Sequence, residues 1–319
     1  MKEFTNYLIE KKQSSSTREG TLKLIKRFTA WLTENNIPVE TITYNHILKY
    51  IQQLQQQGCK QATIKGYIIS LKHYLNYLTD NKYIAHNPIL AIKIQGVKRN
   101  MLHTILNPEE LEQIYNSYNT EPKQYPPNKI IPPQILNNLA RQRNKIILGF
   151  FIYQGITVND LRGIQLKHVH IKQGTITIPG TRRSNERTLK LEAHQIFELH
   201  QYIIQVRPAI LQATGKQGDQ LFMSVGKSDK VINLLQKLLA ELNKNYTPTN
   251  HSPFGGTGRG LNLDQIRASV ISNWLKLYNL RKVQYMAGHR YVSSTERYQS
   301  NNIEQLQDII NKYILSPEE

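Results

Sequence analysis

Apolar residues recur at helical spacing through most of the chain. From Thr21 onward Leu24, Ile25, Phe28, Trp31 and Leu32 repeat every three to four positions, with Lys23, Lys26 and Arg27 between them, which predicts an amphipathic helix. Ile47, Leu48, Ile51 and Leu54 predict a second helix, and Ile64, Ile68, Leu71, Leu75 and Leu78 a third. Residues 1–95 therefore read as a small all-helical bundle. The period is lost from Gln95 to Thr104, which places an interdomain linker at 96–104 and a second domain at 105–319.

The second domain opens with NPEELEQIY, where Asn107 can cap a helix, Pro108 suits its first turn, and Glu109 and Glu110 complement its dipole. A proline-rich loop spans about Thr120 to Pro133. A long helix through NLARQRNKIILGFFIYQG follows and ends at Gly155. The pattern then changes to alternation in TITIPG and again in RTLKL, which predicts a small antiparallel sheet. HSPFGGTGRG follows no strand and reads as a loop rather than a nucleotide cradle. Ile303, Leu306, Ile309, Ile310, Tyr313 and Ile314 predict an amphipathic tail helix. The fold class is mainly α: a helical bundle followed by a mixed α/β domain with a small sheet.

Charge narrows the function. Lys and Arg outnumber Asp and Glu by 41 to 23 in 319 residues, a net +18 that points to a polyanionic partner, nucleic acid first. The first 100 residues hold 15 basic and 6 acidic side chains, so both domains could grip phosphates. Lys60, Lys65 and Lys72 in the third helix, and Lys98 and Arg99 in the linker, are the DNA-binding candidates there; a merely solvated face is the alternative for the lysines. A single cysteine, Cys59, allows no internal disulfide or thiolate cluster and fits a cytoplasmic setting. The ten histidines lack paired metal-ligand spacing, so no metal site is expected. The amino terminus lacks the apolar core of a signal peptide, and no stretch approaches membrane-span length.

The specific signal is AGHRYVSSTERYQ, with Gly288-His289 nine residues before Tyr298. This resembles the tyrosine recombinase family of phage and transposon integrases, in which a Gly-His pair precedes the nucleophilic tyrosine at that spacing. NLRKVQYMAGH and IRASVISNWL resemble the family's neighbouring helices. TIKGYIISLKHYLNYL and the run from Asn87 to Ile89 are similar to its amino-terminal core-binding domain, a SAM-like bundle that clamps the opposite side of the duplex.

The resemblance implies a role for each matched position. Tyr298 would be the nucleophile, and a phenol with an ordinary pKa near 10 needs a strongly cationic site to act as one. His289 would contact the scissile phosphate or the nucleophile. Arg267 would hold the non-bridging oxygens with its forked guanidinium. Aligning GTRRSNERTLKL on the family's mobile hairpin puts Arg182 where a lysine normally protonates the leaving oxygen, a task poorly suited to arginine. Arg182 and Arg183 could equally contact the DNA backbone. Two positions depart from the family. Thr157 stands where the first arginine belongs, and losing one such donor typically costs about 2.7–4 kcal/mol in the transition state. Asp264 stands where a histidine is usual and reads equally as a helix cap. Arg162, five residues after Thr157, lies well over a quarter turn away on a helix and does not replace the missing arginine locally; Arg141 and Arg143 on the preceding helix are the alternative donors.

The resemblance thus implies a cytoplasmic, nucleoid-associated, cofactor-free site-specific recombinase or integrase that works through a 3′-phosphotyrosyl intermediate. Its partner would be double-stranded DNA, with a homotetramer on paired sites and an accessory DNA-bending protein. Thr157 and Asp264 motivate the alternative, a catalytically impaired DNA-binding relative. A single-subunit topoisomerase of the same chemistry is a third reading.

Overall fold

The computed structural model describes residues 2–90, 92, 105–121, 132–226, 231–245 and 260–299. The chain divides into two compact units, Met1–Asn100 and Met101–Glu319. The linker proposed at 96–104, with Lys98 and Arg99, lies outside the described residues. So do most of the proline-rich and glycine-rich loops and the tail helix.

The described residues of the first unit contain four α-helices: α1 (Lys2–Glu10), α2 (Ser15–Glu34), α3 (Tyr44–Gln56) and α4 (Gln61–Asp80). The last three are those read from periodicity, and Ile25, Phe28, Ile47, Ile64, Leu71 and Leu75 form their common core. Side chains set their starts. Ser14 accepts from the Thr17 backbone N–H, and Thr43 and His46 cap α3 reciprocally. Helix α1 has no counterpart in the sequence reading, being only nine residues long. It is held by burial of Phe4 and Leu8 and by two long-range bonds, Tyr77 to Glu3 and Tyr7 to Asp80, each 3.0 Å. Lys60, Lys65 and Lys72 are exposed along α4.

The second unit begins with α5 (Pro108–Ser117), capped as expected by Asn107, with Glu110 closing the cap reciprocally, and α6 (Pro132–Tyr153). After α6 the chain turns through Gly155 in the left-handed region, at φ +52°. A short α7 (Val158–Gly163) follows, then β1 (Val169–His170), β2 (Thr175–Ile178) and β3 (Arg187–Lys190), which form the antiparallel sheet β1-β2-β3. In β3 the inward positions are Arg187 and Leu189, and Arg187 pairs across with Ile178. Helices α8 (Ala193–Gln201), α9 (Arg207–Thr214) and α10 (Val231–Asn245) complete the periphery. Then come α11 (Leu263–Leu277), α12 (Leu280–Ala287) and a last helix, α13, at residues 292–299.

The core of this unit joins Ile147, Phe150 and Phe151 of α6 to Ile176 and Ile178 of β2 and to Ile266 and Val270 of α11. The segments that matter for function are thereby held on one hydrophobic mass. Among the described residues no helix is long and apolar enough to cross a membrane.

Candidate active site

Four pieces of backbone meet at one place: the turn after α6, the start of β3, the first turns of α11, and the Gly288 turn between α12 and α13. Gly288 takes φ +69°, which L side chains rarely adopt, and so reverses the chain directly after α12. His289 and Tyr298 follow at the two ends of a short segment whose middle residue, Thr295, has no exposed surface.

Arg267 is the hub. Its Nη1 donates to the Gly155 carbonyl, and its Nη2 donates to the Ala287 carbonyl at 2.8 Å and meets His289 Nε2 at 3.2 Å. The turn after α6 and the end of α12 are therefore tied to a single guanidinium. Burial lowers the Arg267 pKa, and Tyr298 opposes this through its charge and a side-chain hydrogen bond. Among the described residues no carboxylate lies within salt-bridge distance of Arg267. Its positive charge is thus not cancelled locally by an ion pair.

His289 is held at both ring nitrogens. Its Nδ1 lies 2.9 Å from Thr295 Oγ1, while Nε2 faces Arg267, a group that can only donate. The proton therefore belongs on Nδ1, and Nε2 presents its lone pair. Burial, reinforced by the charges of Arg267, Arg187 and Arg297 and opposed by Asp160, pushes the imidazole down to about 4, so the ring is neutral at neutral pH. The Tyr298 ring stacks on it at 5.8 Å with 9° between planes, and packs against the cluster of Ile271, Val283 and Ala287. Tyr298, Arg267 and His289 are thus brought together.

Thr157 accepts from the Asp160 backbone N–H, and Asp160 Oδ2 accepts from the Thr157 N–H at 2.8 Å, a reciprocal cap at the start of α7. The same Oδ2 receives Arg187 Nη2 at 2.9 Å in an ion pair with almost no exposed surface. Burial raises the Asp160 pKa, but the Arg187 charge and the Thr157 bonds outweigh it and leave the carboxyl below its usual range. Arg187 did not stand out in the sequence. The signal was present, because an alternating strand that puts a charge in register with inward leucines must satisfy that charge inside the protein.

The other candidates are placed elsewhere. Arg143 is buried and donates to the Met223 carbonyl and to Asn144, and Arg141 pairs with Glu241 and the Asn119 carbonyl. Both are thus committed within the fold. Arg162 is exposed. Asp264 is exposed too, and it is not the cap of α11: Asn262 has the extended backbone and accepts the Gln265 N–H at 2.8 Å, leaving Asp264 in the first turn. Arg182 and Arg183 are exposed at the tip of the β2–β3 hairpin, where Thr181 and Ser184 close the turn. That hairpin is fastened to the His289 turn. The Asn185 N–H donates to the Gly288 carbonyl at 3.0 Å, Arg290 Nη2 donates to the Thr181 carbonyl at 3.1 Å, and the Thr188 N–H donates to the Tyr285 hydroxyl at 3.0 Å.

The whole chain has counterparts among known proteins. Residues 1–82 match the phage integrase N-terminal SAM-like domain, and residues 105–305 match the phage integrase family. Tyrosine recombinase XerD of Chlorobaculum tepidum is 24% identical over 297 residues, covering 92% of this chain and 89% of that protein. Tyrosine recombinase XerC of Halalkalibacterium halodurans is 24% identical over 314 residues, covering 96% and 94%. In fold, the chain is similar to XerH site-specific recombinase in a post-cleavage complex with a palindromic difH substrate, with TM-score 0.65, 20% identity and coverage of 92% and 79%. It is similar also to a lambda integrase tetramer bound to a Holliday junction, with TM-score 0.63, 13% identity and coverage of 93% and 75%. With well over half of its length matched by the catalytic family and its first helices by the companion domain, the chain belongs to the phage integrase family.

Proposed function

We propose that this protein is a site-specific DNA recombinase that cuts and rejoins duplex DNA through Tyr298. The observation that carries this reading is the convergence of the Tyr298 phenol, the unpaired charge of Arg267 and the neutral imidazole of His289. In the reaction, the Tyr298 phenol gives up its proton to the neutral His289 imidazole or to solvent and its oxygen forms a bond to the scissile phosphorus, while the bond to the 5′ oxygen breaks and that oxygen takes up a proton from solvent and leaves as a hydroxyl. Negative charge builds on the non-bridging oxygens in between, and the half-buried Arg267 guanidinium is most effective against it where water is excluded. A 5′ hydroxyl from another strand then attacks the phosphotyrosyl bond and restores the backbone. Phosphodiester energy is conserved in the covalent link, so no nucleotide hydrolysis is needed.

The DNA itself would be gripped by exposed cations: Arg182 and Arg183 on the hairpin, and Lys60, Lys65 and Lys72 on α4. Strand exchange between two sites calls for four copies of the chain, and a bending protein would help pair the sites. The impaired-relative alternative is the weaker reading, because a nucleophile, a cation and an imidazole still converge although Thr157 is uncharged.

The test is a nicked suicide duplex carrying the protein's own recombination site. Wild type should accumulate a covalent protein–DNA complex, and Tyr298→Phe should form none while binding the same duplex. A Tyr298→Phe variant that still forms the complex would remove Tyr298 from the role.

A further inference from the structure

Among the described residues three guanidiniums of this unit are buried, and two of them leave no buried nitrogen without a partner. Arg143 donates to the Met223 carbonyl and to Asn144, and Arg207 donates to the Gly218 and Gln220 carbonyls. Arg187 differs. Its side chain has no exposed surface, its Nη2 reaches Asp160, and its Nε and Nη1 have no partner among the described residues. Purely structural buried arginines spend their donors, because an unmet buried N–H is costly. Arg187 withholds most of its donors from the fold.

Its position is equally specific. A Cβ on Gly288 would fall 2.4 Å from Arg187 Nη1 and 2.9 Å from its Cζ, so the turn that carries His289 lies directly on the guanidinium. Asp160, which anchors Arg187, is the carboxylate that shares a cap with Thr157. The charge of Arg187 is felt by both Arg267 and His289. The cation thus arrives beside position 157 from a different strand.

Building on the recombinase reading, we propose that Arg187 is a positioning residue for the phosphate subsite, supplying from beneath the Gly288–His289 turn the positive charge that Thr157 does not bring. Arg267 faces the non-bridging oxygens directly, and Arg187 stands behind His289, adding a second cation to the field those oxygens meet. Asp160 offsets part of that charge and fixes its place.

Two variants test this: Arg187→Lys, and the double Asp160→Asn with Arg187→Met, which removes both members of the pair and leaves no buried ion alone. Cleavage is compared on a normal duplex and on one whose scissile phosphate is a methylphosphonate, with one charged oxygen replaced by a methyl group. The double variant should lose roughly a hundredfold on the phosphodiester. On the uncharged linkage its deficit relative to wild type should shrink to a few-fold. Arg187→Lys should fall between wild type and the double variant. An equal loss on both substrates means a structural role and overturns the proposal, as does no loss on either.

NMR titration of His289 supplies a readout independent of cleavage. In the double variant its midpoint should rise from near 4 toward the ordinary 6.5, because Arg187 depresses it more than Asp160 raises it. An unmoved midpoint sinks the inference about Arg187 even if wild type recombines. Absence of any Tyr298-linked complex in wild type sinks the recombinase reading instead.

Discussion

Thr295 holds His289 by its Nδ1 at 2.9 Å from a position with no exposed surface. Arg267, which can only donate, places the proton on Nδ1, and the Thr295 hydroxyl accepts that N–H and anchors the ring. Thr295→Val preserves shape and removes that partner. It should leave a buried N–H unmet and cost about 1–3 kcal/mol of stability. Covalent complex formation should fall about tenfold or more as the ring loses its anchor at Nδ1. Nitrogen chemical shifts of His289 report the tautomer directly, and an unchanged pattern with unchanged cleavage would show that Thr295 only fills space.

Acid should weaken the fold earlier than its carboxylates alone would suggest. His289 is pushed down to about 4 from an ordinary 6.5 by burial and by Arg267, Arg187 and Arg297. Between those values the unfolded chain binds a proton that the folded site refuses, so stability declines as pH falls from about 6.5 to about 4. Asp160 is lowered as well, and its contribution disappears further down, as pH falls through its folded value. Urea midpoints taken across this range should drop for wild type and drop less for His289→Gln. Parallel curves for the two proteins would remove His289 from the account.

Gly288 and Gly215 both sit in the left-handed region, at φ +69° and +66°, yet a Cβ at Gly215 meets nothing within 4 Å. Gly215→Ala should therefore show only the backbone cost, about 1–2 kcal/mol. Gly288→Ala adds a collision with the Arg187 guanidinium and should be clearly more destabilising, with loss of covalent complex. Thermal denaturation of the pair isolates the collision, and equal losses would mean that the Arg187 side chain moves aside freely.

At the hairpin tip, Arg182 is exposed and tests the leaving-group step. Arg182→Lys introduces a group that can give up a proton, and cleavage of an ordinary duplex should rise about tenfold. With a 5′-bridging sulfur as leaving group, which needs no acid, Arg182→Lys and wild type should react alike. Arg183→Ala should weaken DNA binding and reduce its salt dependence by about one phosphate contact. No gain from Arg182→Lys on the oxygen substrate would assign Arg182 to backbone contact alone.

Much of the fold could be read from apolar spacing because long helices repeat their pattern enough times to be unmistakable, as in α2, α4 and α6. Helix α1 escaped because two buried residues, Phe4 and Leu8, make too short a period, and its stability comes from partners about seventy positions away. At the site, the spacing from Gly288 to Tyr298 was visible because it lies within one short segment. Arg187 was not, since its meaning depends on Asp160 and Gly288, which are distant in sequence. The cap at α11 was assigned to Asp264 because aspartate caps well; the backbone geometry gives that place to Asn262.

The bonds between the β2–β3 hairpin and the His289 turn have a mechanical consequence. Asn185 to Gly288, Arg290 to Thr181 and Thr188 to Tyr285 bind a surface loop and the imidazole's own backbone into one joint. A duplex that pulls the tip out of register must either break these bonds or drag His289 away from Tyr298. On the recombinase reading, the grip on the nucleic acid and the readiness of Tyr298 would thereby be geared together, and a poorly seated strand would disarm the site by the same movement that lets it go.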